Sequence, residues 1–198
     1  VSYSVIVADP PWNEPGGCKR GADEHYETMD RAAILRTMVT SPSWHIAEDA
    51  HLYLWTTMTS LVDGLWLLDA LGFVYKTHAV WVKTTDTFAP PRIQVGLGQY
   101  FRGAHELVLF GTRGKGFAVR TEAKNIPSVI FAQVPRENGR RVHSAKPAAF
   151  FDMVDRRSVG PRLEMFARVG RPGWDAWGDE APVIHYAADH AATPGSIV

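Results

Sequence analysis

A chain of 198 residues is long enough for one domain with a substantial core and short for two, and 45% hydrophobic with 21% charged residues excludes a disordered or fibrous protein. The formal net charge is zero, so bulk charge argues neither for nor against a nucleic-acid partner. A single cysteine, Cys18, excludes an internal disulfide framework and any CxxC zinc pair, and the eight histidines show no HExxH or HxH spacing, so no metal is expected.

Residues 3–8 read as the first strand, apolar almost throughout and so central in a sheet. No positively charged segment precedes this run and no small-residue cleavage site follows it. The longest apolar stretch, 51–82, is broken by Asp63, Gly64, Asp69, Gly72 and Lys76, too often for a membrane span. The expectation is a cytoplasmic protein without a signal peptide.

The strand ends in Asp9-Pro10-Pro11-Trp12. Two prolines cannot continue a ladder and hold the backbone extended, leaving main-chain carbonyls beside a carboxylate and an indole, a cluster able to grip a planar amine. Residues 13–24 are a Gly- and Lys/Arg-rich loop. Asp30 can cap a helix with Ile34, Leu35, Met38 and Val39 on one face, ending before Pro42. A short strand follows at 52–56. Ser60 with Asp63 then approximates a capping box for a helix with Leu61, Leu65, Leu68 and Leu71 in phase, closed at Gly72. The aromatics Trp66, Trp81, Phe150 and Phe151 are assigned to the core.

A third strand is expected over 73–83, a long functional loop over 84–104, a strand over 106–111, a hairpin turn over 114–117 and a short strand over 128–133. Pro147 opens a helix with Phe150, Phe151, Val154 and Arg157 in phase, closed by Gly160-Pro161. A strand from 163 stops at Arg168, the next lies within 173–180, and residues 181–198 form a tail after a single domain spanning 1–180. Alternating elements of this length imply an α/β fold: a mostly parallel central sheet with helices on both faces. Ligands in such sheets bind outside the carboxyl ends of the strands, which singles out Asp9, Lys83, Arg168 and the Asp179-Glu180 pair. Between Gly111 and Lys146, eight basic residues (Arg113, Lys115, Arg120, Lys124, Arg136, Arg140, Arg141, Lys146) face two acidic ones (Glu122, Glu137), a pattern suited to phosphate.

Asp9-Pro10-Pro11-Trp12 after an apolar strand resembles the catalytic motif of the S-adenosylmethionine-dependent N6-adenine methyltransferases, the MT-A70-like family typified by the messenger-RNA adenosine writer and including small bacterial and phage members. Tyr26-Glu27-Thr28-Met29 resembles the tyrosine loop that follows that motif, and His143-Ser144-Ala145-Lys146-Pro147 its HxxKP element. Arg162-Leu163-Glu164-Met165-Phe166-Ala167-Arg168 with Pro172-Gly173-Trp174-Asp175-Ala176-Trp177-Gly178-Asp179-Glu180 resembles its ending, and residues 98–111 its HE-bearing segment.

The resemblance implies a Rossmann-like methyltransferase fold in permuted order, catalytic motif first, and S-adenosyl-L-methionine as cofactor. It implies transfer of methyl to N6 of adenine in nucleic acid, DNA in preference to RNA. Asp9, Pro10, Pro11 and Trp12 are the implied catalytic residues, with Trp12 offering a stacking face. Tyr26, Lys83, His105 and Glu106 lie toward the substrate. Ala8, Asp9, Lys146, Arg168, Trp177, Gly178, Asp179 and Glu180 lie toward the cofactor, Lys146 pairing with its carboxylate. Asp179 departs from the family's common Asn. Nucleic acid would run along the basic loops 112–145, with a partner subunit or homodimer left open and no membrane. The alternatives are a non-catalytic nucleic-acid-binding scaffold subunit and a small-molecule or nucleoside N-methyltransferase.

Overall fold

The computed structural model describes residues 1–13, 28–86, 89–96, 98, 100–142 and 145–178. Strand β1 (Tyr3–Ala8) is followed by α1 (Arg31–Thr40), β2 (Ile46–Thr56), α2 (Leu61–Ala70), β3 (Val74–Thr84), β4 (His105–Arg113) and a 3-10 turn (Gly116–Val119). Next come β5 (Val129–Gln133), a small hairpin of β6 (Arg136–Glu137) and β7 (Arg140–Arg141), α3 (Ala148–Arg157), β8 (Arg162–Met165) and β9 (Asp175–Trp177).

Seven strands form one sheet in the order β5-β3-β4-β2-β1-β8-β9. β1 runs parallel to β2 and β8, β3 to β5, and β8 to β9; β4 alone is antiparallel to both neighbours. Among the described residues no helix lies between β3 and β4, and the two strands run antiparallel. The sheet is mostly parallel, as expected, with one reversed strand that no periodicity marks.

Period-two alternation assigns the faces. Ile6, Ala8, Leu52 and Leu54 pack with Ile34 and Met38 of α1 and Leu67 and Leu68 of α2. Val5, Val7, Tyr53 and Trp55 pack on the other face with Phe150, Phe151 and Val154 of α3. Asp30 caps α1 as expected, its carboxylate accepting from the Ala33 N–H at 2.7 Å.

Several local expectations are corrected. Ser60 makes no side-chain cap bond to α2; its hydroxyl accepts from the Thr57 N–H at 2.9 Å, and Asp63 pairs with Arg31 at 3.0 Å. Val39 and Leu65 lie on outer faces, 46% and 38% exposed. Trp66 is not core: it is 37% exposed, with the Arg31 guanidinium 4.7 Å above its ring. β2 begins at Ile46, opposite Tyr3, and Glu48 and Asp49 fall in the irregularity between the Tyr3–Ile46 and Val5–His51 pairs. The expected hairpin at 114–117 is a 3-10 turn. β8 stops at Met165, three residues before Arg168, because Phe166 takes a left-handed φ of 61° and turns the chain.

Candidate active site

Strand directions bring the carboxyl ends of β1, β2, β3, β5, β8 and β9, and the start of the reversed β4, to one rim of the sheet. Asp9 follows β1, Lys83 sits at the end of β3, Glu106 at the start of β4, and Arg168 and Gly178 beyond β8 and β9. On the face covered by α3, alternation carries the pattern Val5, Val7 on to Asp9. Lys146 stands two residues before α3.

These side chains form an alternating chain of charge. The Lys146 Nζ lies 2.9 Å from Asp9 Oδ1 and 3.1 Å from Glu106 Oε2, and the Lys83 Nζ lies 2.5 Å from Glu106 Oε1. Lys146 also rests 4.9 Å above the Trp55 ring, and Lys83 5.2 Å above that of Trp81. The lysine of the HxxKP-like stretch, expected to meet a cofactor carboxylate, is here the clamp between two protein carboxylates; an ammonium has three donors, so one remains for a ligand.

Burial pushes the Asp9 carboxyl upward, Lys146 pulls it down and Glu106 pushes it up again, leaving it above the ordinary carboxylate range; Arg168 also pulls it down. Burial would lower Lys146, but Asp9 and Glu106 outweigh it and hold the ammonium protonated. Burial would raise Glu106, yet Lys146 and Lys83 together hold it below its ordinary value.

The motif's backbone is fixed as well. The Pro10 carbonyl accepts from the Trp12 N–H at 2.9 Å, the Pro11 carbonyl from Met29 at 2.8 Å, and the Met29 carbonyl from Asn13 at 3.0 Å. Trp12 is 7% exposed and its indole N–H donates to the Trp55 carbonyl at 2.8 Å, so the ring is a wall of the site and not the open stacking face expected of it. His105 alternates away from Glu106 and joins no ion pair among the described residues. Ala8 is buried beneath the rim. Trp177 stacks edge-on with Phe166 at 5.8 Å, and Gly178 is forced by close approach, since a Cβ there would collide with the Ala167 carbonyl oxygen. Tyr26, Asp179 and Glu180 lie outside the described residues.

The rim also holds Glu164, which the sequence reasoning passed over. Its carboxyl is pushed up to about 7, chiefly by burial, with Arg171 pulling down and Asp9 pushing up. Arg171 Nε stands 3.9 Å from Glu164 Oε2, and its guanidinium lies over the Phe151 ring. The signal was present: a glutamate between the buried Leu163 and Met165 in a strand flanked on both sides must face the other layer.

The basic stretch is divided. Arg113 ends the reversed β4 and Lys115 follows it, and Arg120 and Lys124 precede β5, all toward the opposite rim. Only Arg136, Arg140, Arg141 and Lys146 follow the end of β5 on the catalytic rim. Loops 112–145 are therefore not one phosphate-tracking surface. The rim portion is a hairpin with Asn138 and Gly139 at φ 50° and 77°, the paired positive values of a type I′ turn.

A clamped carboxylate directly after the first strand, followed by Pro-Pro-Trp and completed by a lysine brought from before the last helix, is the arrangement found here in full. The MT-A70 family model matches residues 3–180. The chain belongs to the MT-A70 family. It is a methyltransferase, like its relatives. It is 30% identical over 201 residues to the type II methyltransferase M.MunI of Mycoplasma sp, covering 91% of this chain and 78% of that one. It is 28% identical over 195 residues to the human N(6)-adenosine-methyltransferase catalytic subunit METTL3, covering 92% of this chain but 29% of that one. It is 32% identical over 200 residues to the N6-methyladenosine RNA methyltransferase MTA1 of Pyricularia oryzae, covering 93% and 48%. Among the described residues, no group of three or more His, Cys, Asp or Glu could hold a metal, and no helix is long and apolar enough to cross a membrane.

Proposed function

We propose that this MT-A70 methyltransferase transfers the methyl of S-adenosyl-L-methionine to the exocyclic N6 amine of adenine in nucleic acid, with DNA preferred over RNA. The observation that carries the reading is the Asp9 carboxylate beside the Pro10 carbonyl, fixed by Lys146. An adenine amine is a poor nucleophile because its lone pair is delocalised into the ring. Asp9 and the Pro10 carbonyl, which has a second lone pair beyond its bond to Trp12, accept the two amine hydrogens and draw the nitrogen toward tetrahedral geometry. Asp9 also balances the positive charge that develops on nitrogen as the N–C bond forms.

The rim residues fit the cofactor. Asp9 raises the proton affinity of Glu164 and Glu106 raises that of Asp9, so the rim carries a negative field suited to a sulfonium and an ammonium. Arg168 and the third donor of Lys146 suit a carboxylate. The Trp55 indole N–H, buried beneath Lys146 and without a hydrogen-bond partner among the described residues, is a donor suited to a ligand acceptor. When bound, S-adenosyl-L-methionine supplies the electrophilic methyl. Asp9 orients the amine and Trp12 closes the wall behind it.

DNA is preferred on the likeness to the bacterial type II methyltransferase M.MunI, 30% identical over 91% of this chain. An adenine inside a duplex must leave the stack at a cost of a few kcal/mol, which favours single strands or distorted duplexes. The test is incubation with methyl-labelled S-adenosyl-L-methionine and matched DNA, RNA and adenosine, followed by digestion. Label on N6-methyladenine from DNA above RNA is the expected result; label on cytosine N4, or on no base, overturns the reading.

A further inference from the structure

The loop between β3 and β4 is fastened to the site at its base. Lys83 and Glu106, 2.5 Å apart, close it and are the last links of the chain that reaches Asp9 through Lys146. Its first half folds back along β3: the Gln94 N–H donates to the Lys83 carbonyl at 2.8 Å, the Thr85 N–H to Arg92 at 2.9 Å, and Thr84 bridges Ile93. In its second half the Gly96 N–H donates to the Gly103 carbonyl at 2.5 Å and Arg102 Nε to the Gly96 carbonyl at 2.6 Å. Only glycine fits at 98, where a Cβ would collide with the Phe101 carbonyl oxygen.

Between these bonded ends two adjacent rings stand out in water, Tyr100 at 94% and Phe101 at 84% exposed. Neither belongs to a core cluster, so neither stabilises the fold through burial. We propose that Tyr100 and Phe101 are a stacking platform for bases flanking the target adenine, and that the acceptor is accordingly engaged as a single strand. This rests on the nucleic-acid methyl transfer proposed above. Aromatic faces accept any base, and single-strand sites combine them with cations that track the backbone. The cations are present: Arg102 is the next residue, Arg92 is 82% exposed in the same loop, and Arg136 and Arg140 rise from the same rim on the type I′ hairpin. A protein partner is the competing occupant, since Ile93 and Val95 are also exposed. Nucleic acid is favoured because the rings stand at the tip among arginines and glycines, and because the loop base is joined through Lys146 to Asp9, the proposed grip on the acceptor amine.

The experiment compares the wild-type chain with Tyr100→Ala/Phe101→Ala and with the ring-preserving Tyr100→Phe/Phe101→Tyr. Binding of a fluorescent single-stranded oligonucleotide is followed by anisotropy, and KM for methyl transfer is measured on that oligonucleotide and on one with abasic positions flanking the adenine. The alanine pair is expected to weaken binding and raise KM roughly tenfold or more, the ring-preserving pair to stay within about twofold, and the loss to shrink on the abasic substrate. Equal losses on both substrates, no loss, or a change in oligomeric state by sedimentation with binding intact would overturn the platform. Ring-dependent oligonucleotide binding without any methyl transfer would instead sink the proposed function and leave the platform standing.

Discussion

The Lys146 ammonium stands 2.9 Å from Asp9 Oδ1 and 3.1 Å from Glu106 Oε2, joining a residue placed before the last helix to the carboxylate that ends the first strand. Its side chain is 9% exposed against 22% for Asp9 and 16% for Glu106, so it is a largely enclosed cation shared by two partly enclosed anions. Removing the shared cation leaves Asp9 without its ion-pair partner while Glu106 keeps Lys83, and an enclosed charge that loses its partner is costly.

Lys146→Met should therefore leave Asp9 facing Glu106 without the charge that lowers its proton affinity. Asp9 then ionises only at higher pH, so the acid limb of kcat/KM is expected to move toward alkaline pH, and activity at pH values on that limb to fall about tenfold for each pH unit it moves. Lys146→Arg, which keeps the charge with different geometry, should retain the limb while lowering kcat. A pH profile of the Met variant superimposable on wild type would show that Lys146 does not govern Asp9.

The Asp9 end of the rim is legible because a buried strand that stops at Asp9-Pro10-Pro11 places a carboxylate at a strand terminus, and Lys146 stands beside a helix-opening proline. Their mutual contact was not legible, since it depends on α3 covering the face to which Asp9 alternates. Trp12 was misassigned as a platform because nothing local shows that its N–H finds the Trp55 carbonyl. The reversal of β4 is set by a loop without periodicity, and that reversal sends Arg113 and Lys115 to the far rim. Asn138-Gly139 was a readable type I′ signal that the surrounding basic composition obscured.

Glu164 carries a pH signature. Its folded value of about 7 lies above the 4.5 of the unfolded chain, so the folded state holds the proton more tightly. Stability from this group is full below about pH 4.5 and falls as pH rises through 7. Glu164→Gln, which mimics the protonated form, should be more stable than wild type at pH 8, by about 3 kcal/mol at most, and indistinguishable near pH 4. Urea denaturation at the two pH values checks this, and equal differences at both would refute it.

At the opposite end of the sheet, Ser158 joins two buried side chains, standing 2.6 Å from His51 Nδ1 and 2.7 Å from the Tyr53 hydroxyl, while His51 Nε2 lies 2.7 Å from the Gly116 carbonyl. With Nε2–H donating to Gly116, Nδ1 is the acceptor, and Ser158→Ala leaves it unsatisfied. That substitution should cost about 1–3 kcal/mol of stability with methyl transfer unchanged. Burial also lowers the His51 pKa, so its neutral form is favoured in the fold and stability should decline as pH falls below 6.5 toward the lowered folded value. His51→Gln should flatten that decline in thermal unfolding across pH 5 to 7; an unchanged slope would place the acid sensitivity elsewhere.

The central claim is that Asp9 holds the adenine amine for methyl transfer, and it is tested most directly by comparing wild type with Asp9→Ala. Single-turnover formation of N6-methyladenine on a single-stranded DNA oligonucleotide is measured alongside binding of S-adenosyl-L-homocysteine. Lys146 keeps Glu106 as a partner in the variant, so the site persists. The expected result is a rate reduced by about a hundred- to a thousandfold or more with ligand affinity nearly intact. A variant that methylates adenine at close to the wild-type rate would contradict it.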